Sequence, residues 1–526
     1  MSDSSAAVDR PRAGWILWVG VLALIGIILI LAITRFGPGA SGDSAYYVMG
    51  AQNMIEGNGF SRTSGGGETK PITGFPPVFS AVLAVLGLAG GDLLQVGRFL
   101  NAGLFAVNIF LAGGLVHRYT RSLWPTLLAC AALLAADNLV GWHAWVMSEP
   151  LYVSLMLVGI LGITSYFEED HFLILVGTGL SLAAATLTRY VGVAQLLAFA
   201  LSILFLSERN WLRRFYECVL LSMVSLIPVF LWLRWNVAVA GTGVNRDVLY
   251  HPMRPELIGG FLSAASAWFV PGSLGLPLFL RVGIPLLVAS TIPAIFVIRS
   301  LRRRLAANGE GWREKNVLPW ILLIYIGSYV GILVVNSTFL DASTTLSAPS
   351  RYLLPVFVAA VILFTCIIFR LLQDGRAGQK ARWGVGLLGL ALIGLHVPAT
   401  VNLARDPIPQ IGYTGLRYTL PAVVNRLEQV GPGKAIISNN PELVFILVGK
   451  PAYMRPIQFD AYQLAYREDF EKQVADAQSK LDLGAVLVLF GALDEEEMNV
   501  LDALNVVAAY VSSEATFYVS ANTNHG

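Results

Sequence analysis

Charge is scarce in this chain. Asp, Glu, Lys and Arg make up only 13% of 526 residues, against 55% hydrophobic residues and a mean hydropathy of +0.64. That composition excludes an ordinary soluble protein. Cysteine is scarcer still: Cys130, Cys218 and Cys366 each lie inside an apolar run. No disulfide framework or Cys/His metal motif follows, and the three read as small lipid- or core-facing residues. No Walker A sequence is present, and no dinucleotide fingerprint follows a strand. Internal repeats are absent, which argues against a transporter built from repeated halves. The only low-complexity tract is Gly65-Gly66-Gly67. A net charge of +2 gives no reason to expect nucleic acid as a partner.

Long apolar runs are present instead. Several reach the roughly 20 residues that cross a bilayer, so the chain reads as a polytopic α-helical membrane protein. Residues 13–34 are too long for a signal-peptide core and match a retained first span. About eleven spans are expected. They lie near 15–33, 98–116, 123–143, 151–167, two short ones within 173–206, 216–239, 274–298, 318–336, 353–371 and 384–403. The stretch 76–90 is short and is expected along the interface.

Arg and Lys gather at the N-terminus and in the loops near 118, 210, 302 and 378, which are therefore expected on the cytoplasmic side of a cell (plasma or inner) membrane. The first long loop, 36–75, then faces outward, and so does the C-terminus. Residues 1–403 are expected to form the transmembrane domain. Residues 404–526 alternate short apolar strands (434–438, 485–490, 506–510, 516–520) with amphipathic helices (421–429, 469–481), the pattern of a small extracytoplasmic α/β domain.

The polar inventory converges on the outer face. Asp43, Lys70, His143, Glu149, Arg189, Arg246, Arg254, Asp341 and Arg351 all map there or to adjoining helix ends. A charge at membrane depth costs about 2.5–3.5 kcal/mol unless it faces a cavity or a partner. Several at one level suggest a water-filled site. Asp43 reads either as a turn aspartate after Gly42 or as a general base that takes a proton from an attacking hydroxyl. Tyr46 and Tyr47 follow it and would stack on a sugar or sit at the interface.

Glu149, in Ser148-Glu149-Pro150, reads either as a first-turn helix acid or as a partner of Asp43 that orients an acceptor. Together these two are the candidate ligands if a divalent metal ion is bound; no other cofactor is expected. Arg351, in Ser350-Arg351-Tyr352, is either a snorkelling arginine or a clamp on a phosphate. Arg189 and Lys70 are further candidates for that clamp. His143, between Trp142 and Trp145, reads as interfacial packing and as a candidate substrate contact.

Three motifs carry a resemblance. They are Asp43-x-x-Tyr46-Tyr47 followed by Pro76-Pro77-x-Phe79, then Ser148-Glu149-Pro150-Leu151 with Leu187-Thr188-Arg189, and finally Arg351-Tyr352-x-x-Pro355. In order and topology the chain resembles the GT-C membrane glycosyltransferases of the protein mannosyltransferase and aminoarabinose-transferase type over residues 15–400. The resemblance implies a polyprenyl-phosphate-sugar donor, a lipid, glycan or protein acceptor, contact with membrane lipids, and chemistry on the extracytoplasmic side. It also implies that Asp43 is the catalytic base of an inverting transfer and that Glu149 is the second catalytic acid. Donor phosphate would be met by Arg351, Arg189 and Lys70, and substrate by Tyr46, Tyr47 and His143.

The chain departs from the family in two places: Ser44 stands where many relatives have a second acid, and Phe75 where many have Lys or His. Alternatives are a lipid-linked polymer ligase, a membrane transporter without glycosyl transfer, and a non-catalytic scaffold. The scaffold would leave Asp43 and Glu149 without a shared cavity.

Overall fold

Lipid offers the backbone no hydrogen-bond partner, so the apolar runs must satisfy themselves as helices. A computed structural model describes residues 14–522, apart from 246–247, 251, 272–274, 276, 278, 307–311, 341–348, 375–377, 406–411, 432 and 461–464. Arg246 and Asp341 lie outside the described residues.

Among the described residues, eight helices are long and apolar enough to cross a membrane: Gly14–Ile33, Leu93–Thr120, Glu149–Glu169, Trp211–Ala240, Phe279–Arg302, Val317–Phe339, Leu354–Gln373 and Gln379–Arg405. Each of the about eleven stretches expected as spans is helical among the described residues: these eight, one bent pair and two shorter apolar helices. That pair is Leu123–Ala135 and Asp137–His143, turned by 63°. Ala136 between them is extended and interrupts the helical ladder. The two short spans expected within 173–206 are the helices Phe172–Thr188 and Tyr190–Leu206, separated by the extended residue Arg189. Phe172–Thr188 has 17 residues, about 25 Å of rise, short of the roughly 30 Å hydrocarbon core.

The helices pack through small residues, as bundles in lipid do. A Cβ on Gly26 would meet Phe105 at 2.9 Å. One core links Val19, Phe105, Ile109, Leu133, Tyr152, Phe199, Tyr325 and Ile362 across the bundle. Cys130 and Cys366 are buried in it, and all three cysteines are free.

The stretch 36–75, expected as a loop, is partly regular. It holds the helix Gly42–Ile55 and a hairpin of β1 (Ser61–Thr63) and β2 (Thr69–Pro71). The apolar face of that helix, with Tyr47, Val48 and Ala51, packs on Phe79, Leu83 and Ala84 of the short helix Val78–Gly87.

Beyond Arg405 lies a five-stranded sheet. Its strands are β3 (Ile436–Ser438), β4 (Tyr453–Met454), β7 (Val486–Phe490), β8 (Val506–Val511) and β9 (Ala515–Ser520), in the order β4-β3-β7-β9-β8. β3 runs parallel to β4 and β7, while β9 is antiparallel to β7 and β8. The short strands β5 (Phe459–Asp460) and β6 (Ala465–Tyr466) form a separate pair. Strand alternation sends Val488 and Phe517 to one face with Val423, Leu427 and Leu443. Leu487 and Leu489 go to the other, with Leu481 and Val500.

Candidate active site

The site begins with an extended segment that delivers Asp43. Gly39 N–H donates to the Ala144 carbonyl at 2.8 Å, and Val146 N–H donates to the Gly39 carbonyl at 2.9 Å. On the other edge, Tyr413 N–H donates to the Ala40 carbonyl at 2.8 Å. Residues 38–41 are thus clamped between the bent-helix end and the segment that follows the last span. The clamp requires glycine. A Cβ on Gly39 would lie 2.6 Å from the Trp145 ring, and one on Gly412, at φ +63°, would lie 2.1 Å from the Ala40 carbonyl oxygen.

Ser41 then caps the helix Gly42–Ile55. Ser44 is buried; its hydroxyl accepts from Ser41 N–H at 3.0 Å and contacts the Met147 sulfur at 3.3 Å. A carboxylate there would be sealed against a thioether, which is why a serine suits this position.

Asp43 sits in the first turn of that helix, with its side chain 31% exposed. Arg351 donates from Nη2 to Asp43 Oδ2 at 2.6 Å and from Nε to Glu149 Oε1. Arg189 Nη1 lies 2.6 Å from the same Glu149 oxygen and donates to the Ser148 hydroxyl at 3.2 Å. Two carboxylates and two guanidiniums therefore form one connected cluster. Glu149 is only 1% exposed, and its Oε2 accepts no hydrogen bond among the described residues.

Each charge reaches the cluster from a helix end. Glu149 opens one long helix, Arg189 is the break after Thr188, and Arg351 lies in the short helix Pro349–Tyr352. The ends of spans are where backbone and charge can share a wet cavity without crossing lipid.

Aromatic rings wall the cluster. Arg351 lies 5.7 Å from the Trp142 ring centroid, and both arginines lie within 5.9 Å of Tyr352. Tyr47 is buried and shares a 2.9 Å hydrogen bond with Ser148. Burial, and then the Asp43 charge, push its phenol well above the usual range, so Tyr47 stays neutral. Phe75 packs on both tyrosines, 5.1 Å from Tyr46 and 5.4 Å from Tyr47. The position read as a departure from the family thus supports the ring wall instead of presenting a cation. Tyr46 accepts a 3.0 Å hydrogen bond from Arg62.

Two sequence candidates fall elsewhere. Lys70 is on the exposed strand β2, directly across from Arg62, and no contact ties it to the cluster among the described residues. His143 is buried inside the bundle. Its Nδ1 donates to the Leu139 carbonyl at 2.7 Å, and its Nε2 accepts from Asn108 at 3.0 Å. Both ring nitrogens are spent on protein, so a hydrogen bond from His143 to substrate does not fit. Arg254 opens the helix Pro255–Ser266.

Sequence reading missed Ser148 as the link between Tyr47 and Arg189, and Trp142 as a cover for Arg351. The Ser-Glu-Pro motif and the tryptophan cluster were the available signals.

No protein-family model matches the chain, and no curated protein does. Solved structures match over nearly all of it. ArnT from Cupriavidus metallidurans, bound to undecaprenyl phosphate, is similar with a TM-score of 0.59 at 12% identity, covering 98% of this chain and 100% of that one. The apo oligosaccharyltransferase of Archaeoglobus fulgidus gives 0.51 at 11% identity, with 90% and 69% covered. Arabinofuranosyltransferase AftD from mycobacteria gives 0.50 at 13% identity, with 97% of this chain and 42% of that one covered. All three have one architecture.

The chain has the GT-C fold.

Within this GT-C fold a divalent metal does not suit the acidic pair. The facing oxygens of Asp43 and Glu149 already bind the Arg351 guanidinium, which supplies the positive charge between them. No group of three or more metal-binding side chains occurs among the described residues. Nor do Asp43 and Glu149 sit on separate surfaces, as a scaffold would leave them, since one side chain bonds both.

Proposed function

We propose that this GT-C chain transfers a sugar from a polyprenyl-phosphate-linked donor to an acceptor hydroxyl, with inversion. The observation that carries the reading is the shared guanidinium: Arg351 bonds the exposed carboxylate Asp43 and the buried carboxylate Glu149, and Arg189 adds a second positive charge to Glu149. A leaving phosphate needs fixed cations and an attacking hydroxyl needs a base, and the cluster holds both within one side chain's reach. The neighbour ArnT is described as bound to undecaprenyl phosphate, which fits a lipid-phosphate carrier.

In this reading the acceptor oxygen attacks the anomeric carbon of the sugar and its proton passes to Asp43. The bond from that carbon to the phosphate oxygen breaks, and the electron pair leaves with the lipid phosphate. Arg351, having exchanged Asp43 for phosphate, stabilises the departing charge through its paired donors. Arg189 contributes at longer range. Glu149 is a positioning residue, because its buried charge fixes both guanidiniums. Tyr46 is the sugar-facing ring candidate.

The site and the sheet region beyond residue 404 are assigned to the extracytoplasmic side, following the basic loops on the other side. That region reaches the site directly: Glu442 and Tyr413 lie about 4 Å from the position of a Cβ on Gly42. A lipid, glycan or protein acceptor would bind between them.

The test is sugar transfer in proteoliposomes with a panel of polyprenyl-phosphate sugars, using wild type and Asp43→Asn. Transfer by wild type that falls at least about a hundredfold in the variant, the low end for loss of a general base, supports the reading. Equal rates would remove Asp43 from the chemistry.

A further inference from the structure

The Arg351 guanidinium is tied to Asp43 and Glu149, but no continuous helix holds the backbone that carries it. The short helix Pro349–Tyr352 is separated from the span Leu354–Gln373 by Leu353. Pro355 sits in the first turn of that span, where a missing N–H is tolerated. The Arg351 carbonyl thereby loses the donor that an unbroken helix would supply. Backbone carbonyls at such a break must find partners elsewhere.

Both flanking carbonyls find them on other helices. The Ser350 carbonyl accepts from Asn138 Nδ2 at 3.4 Å, on the bent half-helix Asp137–His143. The Tyr352 carbonyl accepts from the Tyr329 hydroxyl at 3.0 Å, on the span Val317–Phe339. Tyr329 is buried, so its hydroxyl must be paired within the protein. Its ring is fixed in turn by Tyr325, with centroids 5.8 Å apart, and by Tyr152 at 6.4 Å. The hydroxyls of Tyr152 and Tyr325 share a 3.4 Å hydrogen bond with each other. Tyr329 is the member of this layer that reaches the Arg351 segment.

When Asp43 gives way to phosphate, the guanidinium keeps Glu149 on Nε while Nη2 changes partner. The Trp142 and Tyr352 rings confine that movement, their centroids lying 5.7 and 5.8 Å from the guanidinium carbon. A side chain that must keep one partner and change another needs a backbone that stays in place.

We propose, on the reading of Arg351 as the phosphate contact, that Tyr329 and Asn138 are positioning residues for the donor phosphate. They pin the carbonyls on either side of Arg351 and so pre-organise its guanidinium. Without the Tyr329 hydroxyl the segment gains a released state, and the phosphate binds only the fraction that is still held. Affinity for the phosphate then falls about fivefold, the factor one ordinary hydrogen bond supplies.

Titration of the purified full chain in detergent with undecaprenyl phosphate and with undecaprenol tests this, because the two lipids differ only in the phosphate. Tyr329→Phe keeps the ring contacts and removes the hydroxyl. It is expected to weaken undecaprenyl phosphate about fivefold and to leave undecaprenol unchanged. Asn138→Ala should show a smaller loss that is again specific to the phosphate, and it probes the same segment from a second helix should Tyr329→Phe fail to fold. Tyr325→Phe is the control: it removes a hydroxyl from the same buried layer that bonds Tyr152 instead of the Arg351 segment, and should bind both lipids as wild type does. Wild-type phosphate affinity in either positioning variant, equal losses for both lipids, or an equal phosphate-specific loss in Tyr325→Phe would overturn the proposal. Wild-type protein that binds the phosphate no better than the alcohol would overturn the reading of Arg351 itself, and the proposal with it.

Discussion

Arg351 bonds Asp43 across 308 residues of chain, Nη2 to Oδ2 at 2.6 Å. While that bond stands, the Asp43 oxygen that faces the cluster is occupied by the guanidinium and is not open to an acceptor hydroxyl. In the proposed reaction, the group that meets the phosphate is therefore also the group that restrains the base. Donor binding and base release become one exchange.

That exchange gives Asp43→Asn a double signature. Turnover should fall at least about a hundredfold, while affinity for polyprenyl phosphate rises, because Arg351 no longer has a charged competitor. Fluorescence or calorimetric titration with the lipid phosphate measures the second effect. Unchanged or weaker binding in the variant would mean that Asp43 and phosphate do not compete for Arg351.

Arg351→Gln leaves Glu149 buried with only one cation. Breaking a buried pair on one side costs about 3–5 kcal/mol, so thermal unfolding in detergent should shift clearly downward and transfer should be lost. Glu149→Gln should also destabilise. The double variant should cost less than the sum of the singles, because each removes the partner that the other leaves exposed. Additive losses would show that the two side chains are not coupled.

Gly412→Ala should reduce transfer without touching any charged residue. Its Cβ would meet the Ala40 carbonyl oxygen at 2.1 Å, at a φ that L-residues rarely adopt. The segment 38–41 must then shift, and Asp43 with it. A cost of about 1–3 kcal/mol is expected from the strain. A variant with lower stability but wild-type turnover would separate the clamp from the site.

The alkaline side of the pH profile tests Tyr47. Burial first, and the Asp43 charge second, disfavour its phenolate, so its proton is retained well above pH 10. Tyr47→Phe should therefore keep the wild-type alkaline limb and lose only the Ser148 hydrogen bond, about 1 kcal/mol of stability. An alkaline fall in wild-type activity near pH 10 that vanishes in Tyr47→Phe would show that this phenol titrates in the working range.

Much of this architecture was legible because lipid makes sequence patterns unambiguous. A run such as Gly14–Ile33 can only be satisfied as a helix in the membrane. The break at Thr188-Arg189-Tyr190 was visible because a charge interrupts an apolar stretch. The bend inside one expected span was less legible, since nothing in Leu123–His143 announces that Ala136 becomes extended and turns the chain by 63°. In the same way, 36–75 looked like a loop because its helix is amphipathic and short, and its apolar face finds a partner only when Val78–Gly87 folds back on it.

The sequence by itself determined that the chain crosses a membrane repeatedly, that its charges collect at the ends of spans, and that Asp43, Glu149, Arg189 and Arg351 are among them. Desolvation alone decides this, residue by residue, because an unpaired charge cannot rest in lipid. Only the tertiary structure decided which of those charges meet. Arg351 comes from 202 residues beyond Glu149 to bond it, whereas Lys70, far nearer to Asp43 in sequence, stays on an exposed hairpin. His143 is next to two tryptophans in sequence, yet packs inward on Asn108. Composition sets the depth of a side chain in the membrane, but its bearing around the helix bundle depends on packing between segments hundreds of residues apart.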